Sequence, residues 1–227
     1  MKHLIALLFL TISTLSFGQT IETGKLWRTK GVYDSLGNFM ERAKVQIFLY
    51  STKPNQFHRL EIEDRLNMTT GETNVVTYRD TLDLISLEAN SYKLNEEETM
   101  TIHTDDSLTI KYRGYTLSYV KVNEKVESIT TEKLKSNLVK TALIQSVGDS
   151  EKYRMTYQEN GLVKIKTLDR DYEWESEYKI IDFNGFIFLQ GITSAPKLVT
   201  DIKKGEVQFV EIDYRFENKN GQLTKIK

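Results

Sequence analysis

From about residue 25 onward the chain is built of short runs in which apolar and polar residues alternate, separated by Gly, Asn or Asp. A period of two puts one face of an extended strand against a core and the other against water, so this pattern limits the fold more than any other feature. The composition agrees: 12 Tyr, 10 Phe and frequent Thr suit strands, and only 2 Pro interrupt them. A first run of strands is predicted near 25–33, 43–50, 57–66, 73–78, 81–87, 91–95, 98–104, 107–112 and 115–122. A second falls near 139–147, 152–157, 161–168, 172–181, 186–192, 197–203, 206–215 and 222–227. Between them, the segment from Thr130 to Lys140 carries Leu134 and Leu138 four residues apart behind an N-capping Thr130 or Thr131, which predicts one short helix.

Hairpin register can be worked out from the residues. A two-residue turn at Arg113-Gly114 pairs Tyr112 with Tyr115, Ile110 with Leu117 and Leu108 with Tyr119, and sets Lys111 and Thr109 on the opposite, polar face. Around Asp169-Arg170, Ile165 meets Trp174 while Lys166 meets Glu173 and Lys164 meets Glu175. Lys204-Gly205 sets Ile202 against Val207, Thr200 against Phe209 and Lys203 against Glu206. At Asp105-Asp106 a two-residue loop would leave Ile102 facing Thr109, so a loop of odd length is expected there.

Consecutive antiparallel strands joined by short turns favour closure, which removes the exposed edges that invite aggregation. The expected fold is therefore all-β, with two tandem small antiparallel up-and-down barrels joined by a short helix. The first spans 19–125, and the helix with the second spans 126–227. A single larger twisted sheet or sandwich is the alternative.

The first residues read as an address. Met1-Lys2-His3 begins it, Leu4 to Ile12 is apolar except for Thr11, and Ser16-Phe17-Gly18 supplies small residues before a cut. That apolar run is about half of the roughly 20 residues a membrane-spanning helix needs, so an export signal over 1–18 is expected, with a periplasmic or secreted mature chain and no transmembrane segment after cleavage. With Lys2 removed, 30 basic residues face 32 acidic ones. The near balance argues against nucleic acid as a partner. Without Cys, disulfide frameworks, thiolate metal sites and cysteine nucleophiles are ruled out.

The early Gly24-Lys25-Leu26-Trp27 and the later strand Gly114-Tyr115-Thr116-Leu117-Ser118-Tyr119-Val120-Lys121-Val122 together resemble a lipocalin-like domain over about residues 22–122. In the second half the resemblance rests on strand count. It implies that Trp27 packs at a barrel base beneath Lys121, and that a small, largely apolar ligand is held inside a barrel. Members of that family also include enzymes, inhibitors and inert modules, so fold alone does not set function.

Candidate chemistry is sparse. His58 and His103 sit on separate strands and read as solvated surface residues, which leaves no metal centre expected. No Gly-x-Ser-x-Gly elbow and no Gly-rich phosphate loop occur. Asp171, Glu173, Glu175 and Glu177 form a comb of carboxylates on one strand face. Such a comb could bind a hard cation or supply the paired acids of a glycosidase, but Lys164 and Lys166 lie across from it, and a solvated salt-bridge face is expected. The opposite face carries Tyr172, Trp174 and Tyr178, which with Tyr112 and Tyr119 of the first barrel are the candidate ligand-contacting aromatics. The segment from Ile180 to Leu189 is apolar on both faces, so Ile181, Phe183, Phe186 and Phe188 are expected to meet the other barrel, the helix or a partner protein. The resulting expectation is a non-enzymatic, cofactor-free exported protein that binds a small apolar or amphipathic ligand. The alternatives are an envelope module whose filled barrels grip a protein or glycan, and a carboxylate-based hydrolase.

Overall fold

The computed structural model describes residues 21–40, 46–88, 90–147, 150–192, 194–203, 205–212 and 218–226. The expected export signal at 1–18 lies outside them, as do the expected strand residues 43–45 and 213–215. Nine strands come first: β1 (Leu26–Tyr33), β2 (Gln46–Lys53), β3 (Gln56–Leu66), β4 (Thr73–Asp83), β5 (Ile85–Glu88), β6 (Ser91–Lys93), β7 (Glu98–Thr104), β8 (Ser107–Tyr112) and β9 (Tyr115–Lys121). A helix, α1 (Thr131–Leu138), leads to β10 (Ala142–Val147), β11 (Ser150–Tyr157), β12 (Leu162–Thr167) and β13 (Glu173–Phe183). The chain then adds β14 (Phe186–Gly191), β15 (Lys197–Lys203), β16 (Glu206–Ile212) and β17 (Asn218–Lys225).

The protein is all-β with two barrel-forming sheets joined by one short helix. In the second, β10 to β17 close on themselves in chain order, β10 pairing with both β11 and β17. The first curls in the order β4-β3-β2-β1-β9-β8-β7-β6-β5 and is a half-barrel. Its outermost strands, β4 and β5, are consecutive in the chain with only Leu84 between them.

Register follows the alternation closely. Tyr112 pairs with Tyr115, Ile110 with Leu117 and Leu108 with Tyr119. Arg113 and Gly114 both take positive φ, the geometry a tight two-residue hairpin turn requires. Ile165 pairs with Trp174, Lys166 with Glu173 and Lys164 with Glu175.

Two expected pairings differ, for one reason. The loop at Asp105-Asp106 has two residues, since Thr104 pairs with Ser107, and the odd residue is absorbed by a bulge between Ile102 and Thr104 that leaves Ile102 opposite Leu108. Likewise Phe209 faces Val199 instead of Thr200, because a bulge lies between Val199 and Asp201. A bulge adds one residue to one strand, so Val199 and Ile202 both face the core although three apart.

Helix α1 starts where Thr130 Oγ1 accepts the Lys133 N–H at 3.2 Å. Leu134 and Leu138 are fully buried in the core of the closed barrel with Leu143, Tyr157 and Val207. The helix thereby seals that core at the end where β11 finishes, Val139 bridging to Tyr157.

A third apolar cluster lies between the two sheets. Leu26, Phe48, Leu60, Ile62 and Val75 meet Ile181, Phe183, Phe188, Leu198 and Ile212, with Phe186 packed against them. The Phe48 and Phe188 rings are 4.5 Å apart and those of Tyr50 and Phe186 5.9 Å apart. Polar links frame this contact: His58 Nδ1 lies 2.9 Å from Asn184 Oδ1, Arg79 donates to the Asp182 carbonyl at 2.5 Å, and Lys179 donates to the Val75 carbonyl. The other face of β14 points Ile187 and Leu189 into the barrel core. A strand covered on both sides has reason to be apolar on both sides.

Candidate functional site

The closed barrel is not filled. A cavity of ≈ 720 Å³, partly open to solvent, extends from its interior to its mouth, lined mainly by residues whose side chains alternate inward on successive strands. Tyr153, Met155 and Tyr157 come from β11, Val163 and Ile165 from β12, and Trp174, Ser176 and Tyr178 from β13. Leu189 and Lys197 complete one wall, Gln145 contributes from β10, and Glu72, Thr73 and Asn74 of the first sheet border the same space.

The aromatic lining is organised edge to face. Tyr153 and Trp174 meet at 6.0 Å and 86°, and Tyr157 and Tyr178 at 4.8 Å and 88°. The Tyr178 hydroxyl donates to the Gln158 carbonyl at 2.8 Å, whereas the Tyr157 hydroxyl has the Met155 sulfur at 3.8 Å, a weak acceptor. Burial pushes both phenols above their usual range, Tyr157 the more strongly, so both stay neutral at any physiological pH.

Two of the polar residues in this lining, Lys197 and Gln145, are buried. Lys197 has its Nζ 3.1 Å from Glu211 Oε2 and 5.8 Å from the centre of the Phe209 ring. Gln145 is only 8% exposed, and its Oε1 has no hydrogen-bond partner among the described residues.

Of the five aromatics expected to contact a ligand, Trp174 and Tyr178 line this cavity. Tyr172 stands outside, exposed and tilted against the Trp174 ring at 5.3 Å. The two from the first sheet lie elsewhere. Tyr119 is buried in that sheet's core, and Tyr112 lies at a surface groove beneath the Arg113 guanidinium at 5.2 Å. Tyr119 packs with Met100, Leu108 and Ile110 there and lines neither the barrel cavity nor that groove. The sequence reading missed Gln145, Tyr153, Met155, Tyr157, Lys197 and Glu211. A signal was present for half of them, since Tyr153, Met155 and Tyr157 alternate along one predicted strand.

Trp27 and Lys121 are paired neighbours across β1 and β9. They border a smaller cavity of ≈ 210 Å³ with Phe57, Ile102 and Leu108. Lys121 is held by Asp106 at 2.7 Å, while the buried Trp27 Nε1 finds no acceptor among the described residues. Further along the first sheet's inner face, Arg59 bridges Glu98 at 2.8 Å and Asp80 at 2.9 Å. Burial pushes the nearby Glu61 carboxyl up, and the charge of Glu63 reinforces it.

Glu173, Glu175 and Glu177 are exposed on the outer face of β13, with Lys166 bound to Asp171 at 2.7 Å. The comb is thus a solvated face. His103 contacts Thr109 Oγ1 at 2.9 Å, and among the described residues no group of three His, Cys, Asp or Glu is placed to hold a metal ion. No described helix is long and apolar enough to cross a membrane. No protein-family model matches the chain, and no curated protein matches it significantly.

Proposed function

We propose that this is an exported, non-enzymatic carrier that holds a small amphipathic molecule inside its second barrel, the first serving as a packed support. The carrying observation is the ≈ 720 Å³ cavity lined by Trp174, Tyr178, Tyr153 and Tyr157. Its size falls in the range of about 300–1,000 Å³ that small-molecule sites occupy, and its lining sets four aromatic rings among nearly equal polar and apolar surface, which suits an amphipathic molecule. The lipocalin-like motif at Trp27 and Lys121 is compatible with such a role. The rival reading, a filled module gripping another protein, drew on the two-faced apolar strand. That strand's outward face is covered by the first sheet, which leaves the rival without its patch.

Native mass spectrometry of protein purified from its own source should find a retained small molecule. Titration with dodecan-1-ol should change Trp174 fluorescence saturably, and Trp174→Phe should abolish the change, because the other tryptophan, Trp27, lies in the first sheet. No retained molecule and no saturable response would end the proposal.

A further inference from the structure

The polar groups of the cavity point to the kind of head group it takes, an inference that rests on the carrier reading above. Gln145 lies on the same face of β10 as Leu143, whose side chain is in the barrel core, so the amide is turned toward the interior. It lines the cavity and is more than nine-tenths buried, and its Oε1 meets no donor among the described residues. A buried acceptor left unpaired costs about 1–3 kcal/mol, so the vacancy favours a molecule that brings a hydrogen-bond donor. Tyr157 adds to this, because its buried hydroxyl has only a sulfur at 3.8 Å and can still exchange a stronger bond with an incoming oxygen.

Charge narrows the choice. An anionic head group would need a cation, and among the described residues the one cation lining the cavity, Lys197, is already bound to Glu211 at 3.1 Å. The other described charged residues bordering the space, Glu72, Glu175 and Glu177, are carboxylates exposed to solvent at its rim. A carboxylate ligand would have to displace Glu211 or lose its hydration without compensation. An ammonium ligand gains no free buried carboxylate in exchange for its hydration, since Glu211 is taken by Lys197 and Glu175 and Glu177 face solvent. We propose that the second barrel selects amphiphiles with an uncharged, hydrogen-bond-donating head, an alcohol or a primary amide, and discriminates against fatty carboxylates through Gln145 and the closed Lys197–Glu211 pair.

Three probes of equal chain length separate the terms when titrated against the intact protein at pH 7.5 by Trp174 fluorescence. Dodecan-1-ol donates a hydrogen bond, its methyl ether does not, and dodecanoate carries the negative charge. The alcohol should bind about tenfold more tightly than the ether, equivalent to about 1.4 kcal/mol, because it satisfies a buried acceptor that the ether leaves unpaired. Dodecanoate should bind more weakly than the alcohol. Gln145→Leu, close in volume, should bring the alcohol and ether to within twofold of each other. Equal binding of alcohol and ether to the unaltered protein would overturn the role of Gln145 without any variant being needed. Dodecanoate binding as tightly as the alcohol would overturn the charge argument and leave the carrier reading standing. If none of the three binds, the carrier reading falls, and this inference with it.

Discussion

At the scale of single residues, the cavity depends on what its neighbours do not carry. Gly221 of β17 pairs with Phe209, and a methyl group added to it would come within 2.5 Å of the Phe209 ring and 2.9 Å of the Ser146 carbonyl. Phe209 is buried, with the Lys197 ammonium 5.8 Å from its ring centre, so the ring or the strand must shift to admit the methyl group. Gly221→Ala is expected to cost about 1–3 kcal/mol in urea unfolding and to weaken dodecan-1-ol binding. A Gly221→Ala protein with unchanged midpoint and affinity would show that the ring can move freely. Glu61 offers a test of sign. Burial holds its proton in the folded state more tightly than in the unfolded one, with Glu63 adding to this and Arg59 opposing it. Folding is therefore helped at low pH, and the help is lost as pH rises past about 4.3, the unfolded carboxylate value, through the higher folded one. Above that window the ionised carboxylate destabilises the fold. Glu61→Gln should accordingly raise the melting temperature more at pH 7 than at pH 4, as calorimetry would show; an equal rise at both would refute the assignment.

At the scale of elements, α1 is short, and isolated helices of eight residues do not hold in water, so its order comes from capping and from Leu134 and Leu138. Thr130→Ala removes the cap and should cost about 1 kcal/mol. Leu134→Ala should cost about 2–5 kcal/mol, because it opens a void at the sealed end of the barrel. If the two losses came out equal, the helix would be an appendage and not a seal. The bulges belong to this scale too. Each lets a strand meet its partner with apolar residues inward where strict alternation would have put a polar one there.

At the scale of the whole molecule, the two sheets behave as one body because an apolar cluster lies between them. The Phe48–Phe188 contact is at its centre, and polar links at His58–Asn184 and Arg79–Asp182 surround it. Turning Phe186 and Phe188 to Asp buries carboxylates against Phe48 and Tyr50, which is costly unless the sheets part. The double substitution should lower the melting temperature and split a single transition into two, followed by calorimetry. A single transition at an unchanged temperature would mean that the contact carries no stability. The same cover explains why the segment from Ile180 through Leu189 can be apolar on both faces, since Ile181, Phe183 and Phe188 are buried against the first sheet.

Much of this could be read from the order of residues alone. Period-two alternation, turn residues and cross-strand charge matching specified the strands, the helix, the hairpin at Arg113-Gly114 and the pairing of Ile165 with Trp174, because all of these are local and each face has one partner. The alternation also marked Trp174 and Tyr178 as inward-facing. It could not say which barrel stays hollow, since inward side chains look alike whether they meet at the centre, as around Tyr119, or stop short of it, as around Trp174. It could not place Lys197 against Glu211, because the bulge between Val199 and Asp201 shifts that hairpin's register by one residue, nor leave Gln145 without a donor, which depends on how much room the closed ring encloses. Side-chain direction is a property of the strand; the space between opposite walls is a property of the fold.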